Sequence, residues 1–213
     1  MSHSVSAFLY IYIYMYVCRD TSSVTKMNNM FQTAQAFSGD ISSWDTSSVT
    51  NMAVMFHGAS VFDGDLSGWD TSKSTSIYAM FVNAYQFTGG GMGPWDTSKM
   101  TNAQDLFANI VSSSFSVDLS TWDTSSMTTL QTTFVSTTYF NSDLSGWDTS
   151  KVTNMYATFS ANHYFNSDVF SWDTSQVTNL NNIFGSAHIF NQPLLCWDTS
   201  QVFFLLTSHY LTY

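Results

Sequence analysis

All fifteen acidic residues of the chain are aspartate, and thirteen of them fall into two recurring settings. Eight stand in the tripeptide Asp-Thr-Ser: Asp20, Asp45, Asp70, Asp96, Asp123, Asp148, Asp173 and Asp198. Five precede a branched aliphatic residue: Asp40, Asp65, Asp118, Asp143 and Asp168. Two chemistries suit such carboxylates. In one, each accepts backbone N–H bonds from the Thr and Ser that follow it and closes a turn. In the other, carboxylates gather a hard cation, and Asp63-Gly64-Asp65-Leu66-Ser67-Gly68 has the opening pattern of a calcium loop. The twelfth position of that loop, where a bidentate acid belongs, is Ser74. The turn reading also accounts for the missing Glu, whose extra methylene spoils the geometry. Asp45, Asp70, Asp96, Asp123, Asp148, Asp173 and Asp198 are therefore expected to be structural turn residues, and no metal site is expected.

Catalytic arrangements are not evident. Five histidines lie at 3, 57, 163, 188 and 209; His163 and His188 share a repeat position, but two imidazoles lack a third ligand. The chain holds 34 Ser and 26 Thr, so no serine stands apart as a nucleophile. The expectation is a protein without enzymatic activity or cofactor. For binding, Tyr139, Tyr164 and Ile189 share one repeat position and could form an exposed apolar stripe. Phe170 replaces a Ser found one repeat earlier, at Ser145. A column of Thr46, Thr71, Thr97, Thr124, Thr149, Thr174 and Thr199 would suit an ice-like surface if it faced water.

These positions are fixed by a repeat. Tryptophan occurs at 44, 69, 95, 122, 147, 172 and 197, each time in Trp-Asp-Thr-Ser and nowhere else. Seven residues after the motif Asp come Met27, Met52, Ile77, Ala103, Leu130, Met155 and Leu180; eleven after it stands a Phe in every unit. Offsets of four, seven and eleven trace one face of a helix, which predicts a short helix near 51–59 and its equivalents. An extended strand is expected at 65–69, stacked in a parallel sheet. A unit this small cannot bury its own apolar face, but stacked copies can. The fold expected is an α/β solenoid: a leucine-rich-repeat-like right-handed coil of about seven 25-residue units, each a short helix plus a short strand. The solenoid should span 19–202, with 1–18 a degenerate N-terminal cap or signal-like segment and 203–213 a C-terminal cap or truncated repeat.

Composition narrows the partners. The formal charge is −10, so neither nucleic acid nor an anionic membrane surface is expected, and membrane insertion is not expected either. Charged residues are 9% of the chain, against about a quarter in ordinary globular proteins. Hydrophobic residues make up 44%, enough to drive folding.

The unit from Trp44 to Trp69, W-D-T-S-S-V-T-N-M-x-x-M-F-x-x-A-x-x-F-x-x-D-L-S-x-W, resembles the repeat of BspA-like leucine-rich-repeat surface proteins, also found in surface lipoproteins of wall-less bacteria. That resemblance implies a solenoid displayed at the cell surface and adhesion to host or matrix proteins; it implies no catalytic residue. The function expected is a cell-surface or extracellular recognition module that binds a protein or glycan. A structural or cytoplasmic interaction scaffold is the alternative.

Overall fold

The computed structural model describes residues 20–203. The two expected end caps, 1–18 and 203–213, fall outside that range apart from Phe203. Within it the chain winds as a stack of rungs, each starting at a motif Asp, from Asp20 to Asp173, with a further rung beginning at Asp198. Six parallel bridges join equivalent residues of successive rungs: Lys26–Asn51, Asn51–Ser76, Ser76–Asn102, Asn102–Thr129, Thr129–Asn154 and Asn154–Asn179.

The expected helix-plus-strand unit is not what the chain adopts. Among the described residues there is no helix, and extended pairing is confined to those isolated bridges. The α/β solenoid of leucine-rich-repeat type is thus corrected to a stack built from turns. The bridging residue, Asn51 and its equivalents, stands at the start of the expected helix rather than in the expected strand.

Backbone dihedrals give the reason. In the seven rungs from Asp20 to Asp173 the residue nine after the motif Asp is left-handed, as at Asn29 (φ 59°), Val54 (φ 64°) and Asp105 (φ 58°), and so is the residue thirteen after it. Each left-handed residue ends a tight turn, so the segment is a chain of turns closed by bonds such as Met30 N–H to Met27 O at 3.3 Å and Ala34 N–H to Phe31 O at 3.0 Å. The alternate N–H groups point along the stack. Asn29, Phe31 and Thr33 donate to Ala53, Met55 and His57 of the next rung at 3.0, 2.9 and 2.7 Å. A lone helix of about nine residues is marginal in water, below the roughly 12–15 needed. Pairing with both neighbours satisfies the same groups and adds burial.

The expected strand is also a pair of turns. Asp65 accepts the Ser67 N–H at 2.9 Å, and Trp69 N–H donates to Leu66 O at 3.2 Å.

Aromatic ladders fill the core. Within a rung the two Phe rings stack at 3.9 Å for Phe31–Phe37 and 3.8 Å for Phe159–Phe165. Between rungs, Phe31–Phe56 and Phe134–Phe159 both stand at 5.5 Å. The indoles stack as well, Trp69–Trp95 at 6.3 Å and Trp147–Trp172 at 6.1 Å. Each indole N–H from Trp69 to Trp197 donates to a carbonyl one rung back, as Trp172 does to Leu144 O at 3.1 Å. Order weakens at Phe115, where the loop insertion tilts the ring 56° from Phe107.

Candidate functional site

The motif carboxylates are turn residues. All eight accept the N–H of the Ser two positions on, at 2.8 to 3.0 Å, from Asp20–Ser22 to Asp198–Ser200. The second set does the same: Asp40, Asp65, Asp118, Asp143 and Asp168 each close onto the residue two ahead. The intervening Thr of the motif takes no part in this turn. Its buried hydroxyl donates instead to the motif Asp carbonyl of the following rung, at 2.9 Å for both Thr46–Asp70 and Thr149–Asp173. That column therefore faces inward through Thr174 and offers no hydroxyl surface to ice.

Electrostatics follow from the turns. The Ser98 hydroxyl and then its N–H hold the Asp96 carboxyl below the ordinary 3.8, and Ser120 does the same for Asp118. At Asp45, hydrogen bonds from Ser47 lower the pKa more than the stacked Asp20 and Asp70 raise it. Turn bonding outweighs repulsion between rungs.

The acids of the calcium-like loop are engaged separately. Asp63 accepts the Thr88 N–H and hydroxyl of the next rung at 2.8 and 2.7 Å, whereas Asp65 closes its own turn. Among the described residues no group of three or more His, Cys or Asp side chains is placed to hold a metal ion. His163 and His188 stack face to face at 4.6 Å and 12°. Parallel rings aim their nitrogen lone pairs alongside one another, so the pair does not converge on one ion.

The apolar candidates are on the surface. Tyr139 is 42% exposed, Tyr164 51% and Ile189 50%, at the same position of three successive rungs. The two Tyr rings stack at 5.1 Å and 14°, so each covers one face of the other. Phe170, 37% exposed, belongs to a different column, whose next member is the exposed Leu195. The structure thus brings Tyr139, Tyr164 and Ile189 into one stripe and leaves Phe170 outside it.

Two surface features escaped sequence reasoning. One is an exposed Thr file, Thr25 through Thr178, five residues after each motif Asp from Asp20 to Asp173. Its hydroxyls donate back one rung, as Thr50 does to Thr25 O at 3.0 Å. Recurrence of Thr at that offset was the available signal. The other is a shallow groove around Val54, Val82 and Val135, outside the main core. Its columns vary too much between units to stand out in an alignment.

No helix among the described residues is long and apolar enough to cross a membrane. No curated protein and no solved structure matches the chain. A family model described as Mycoplasma protein of unknown function, DUF285, matches twice, over residues 17–117 and 111–207. The two matches meet at the Val111 loop insertion, which divides the rungs into two sets of about four. The repeat that builds the turn-and-ladder stack is the repeat of that model, and the chain belongs to the DUF285 family.

Proposed function

We propose that the protein is a non-enzymatic recognition module that binds a partner protein through the stripe of Tyr139, Tyr164 and Ile189. The observation that carries this reading is the half-exposure of three large apolar side chains on consecutive rungs whose backbones are locked to their neighbours. Exposed apolar surface held rigidly in this way suits contact with a partner, because little side-chain freedom remains to be lost on binding. Protein is favoured over glycan by the ring arrangement. A sugar stacks on an open aromatic face, whereas Tyr139 and Tyr164 each give one face to the other. Phe170 and Leu195 supply a second apolar spot toward the C-terminal rungs.

Display at the cell surface fits the resemblance to repeat proteins of wall-less bacteria and the family to which the chain belongs. An intracellular scaffold would use the same stripe. Recognition is tested with the double variant Tyr139→Ser, Tyr164→Ser against host matrix and cell-surface extracts. Loss of specific capture with an unchanged melting temperature supports it; capture equal to wild type overturns it. An equal fall in stability would show that the two rings belong to the fold rather than to a contact.

A further inference from the structure

The groove lies on a different set of columns, nine and twelve residues after the motif Asp. It is open, encloses about 360 Å³, and draws its lining from five successive rungs, from Gln32 to Val135. Its apolar lining is Val54, Tyr78, Ala79, Val82, Ala108 and Val135, a small cluster separate from the core, and Gln32, His57 and Asn109 complete the walls as polar groups. One acidic side chain stands among them. Asp105 occupies the position held by Val54, Ala79, Thr132 and Ala157 in neighbouring rungs, and it is the charged member of that column. Its carboxylate accepts from the Thr132 hydroxyl and from the Gln104 amide, the latter at 3.1 Å; both donors are neutral. The positive φ of Asp105 recurs throughout its column and carries no weight here.

A half-buried carboxylate with neutral partners, set in an apolar wall, attracts a cation more strongly than an exposed one does. The net charge of −10 adds a long-range pull of the same sign. At about 4.8 Å per rung the groove runs about 19 Å, the length of roughly six residues of extended chain. Long basic side chains lay their methylenes on apolar surface while the head reaches an acid. We propose that the groove holds an extended segment of a basic partner protein, with one Lys or Arg on Asp105 and small apolar residues along Val82, Ala108 and Val135. The site shares no residue with the Tyr139–Tyr164–Ile189 stripe, so either can fail alone.

The probe is a fluorescein-labelled octapeptide of alternating valine and lysine, titrated against the full chain by anisotropy at physiological salt. Its valine–glutamate counterpart is the control. Asp105→Asn and Asp45→Asn remove the same charge; the new amide at position 45 can still accept the Ser47 N–H, and that at position 105 can accept from Gln104 while donating to the Thr132 hydroxyl. The expected result is binding of the lysine peptide alone, weakened about tenfold or more by Asp105→Asn, in line with a lost charge-assisted bond. Val135→Ser should weaken it several-fold, and Asp45→Asn should leave it unchanged. Equal loss in the two Asn variants would show diffuse attraction to an acidic surface and overturn the proposal. Absence of lysine-peptide binding, or equally tight binding of butylamine, would also overturn it.

Discussion

Two buried polar side chains sit where the repeat asks for apolar ones. Ser74 replaces the Val or Met found four residues after other motif Asp residues, and Asn162 stands in a column that holds Ala34, Ala59, Ala84 and Ala187. Both are fully buried, and neither the Ser74 hydroxyl nor either polar atom of the Asn162 amide has a hydrogen-bond partner. The contrast with Thr137, in the column of Asn162, is instructive: its buried hydroxyl reaches Phe107 O at 2.5 Å. A buried polar group without a partner costs about 1–3 kcal/mol. Asn162→Ala should therefore raise the urea midpoint by an amount equivalent to about 1–2 kcal/mol, the lost packing offsetting part of the gain. A drop would mean that the amide is satisfied in solution. Gly91 shows the same lesson in reverse, because it breaks the second Asp column for a steric reason. Its φ is +80°, and a Cβ there would lie 2.4 Å from the Ser67 nitrogen.

At the scale of the unit, the indole ties each rung to the one before. Trp172 is 1% exposed, stacks between Trp147 and Trp197, and donates to Leu144 O. Trp172→Phe keeps an aromatic ring but removes the bond between rungs, leaving that carbonyl only the Trp147 N–H at 3.1 Å, and removes part of the stack. A loss of about 2–3 kcal/mol is expected, read from the urea midpoint. A change below about 0.5 kcal/mol would show that the ladder tolerates a missing tie. Much of this packing was legible in the sequence: the Phe offsets of eleven and seventeen and the Trp column name the residues that now stack. The backbone that carries them was not. Turns four residues apart return side chains to one face almost as a helix does, so periodicity alone identifies the buried face and leaves the conformation open. A finer signal lay in the left-handed columns, where Asn29, Asp105, Asn182, Gly58, Asn83 and Asn109 are residue types that tolerate positive φ. Val54 and Thr132 hid it, since there the bonds between rungs hold β-branched residues in a conformation they disfavour. The Tyr stripe was legible as a shared position, whereas the groove needed the fold to bring columns nine and twelve side by side.

Across the whole molecule, two effects of the Asp columns oppose each other as pH falls. Protonation relieves repulsion between carboxylates stacked on successive rungs, which would strengthen the array. It also removes the charged acceptors that close the turns, which would weaken it. The net pKa direction decides the sign. Asp20, Asp40, Asp45, Asp65, Asp70, Asp96, Asp118, Asp143, Asp148 and Asp198 all lie below the ordinary 3.8, each held there chiefly by hydrogen bonds from the Ser two residues on. The folded chain therefore binds fewer protons than the unfolded chain around this pH. The stabilisation is fully present above the ordinary carboxylate value and is lost as pH falls through the lowered ones. The melting temperature should thus hold steady from about pH 7 to 5 and drop steeply between about pH 4 and 2. Because the contribution is spread over many rungs, replacing one motif Asp by Asn, which keeps the turn, should barely alter the profile. Replacing four should flatten it. Calorimetry across that range distinguishes the two effects: a melting temperature that climbs on acidification would show that repulsion between rungs outweighs the turns.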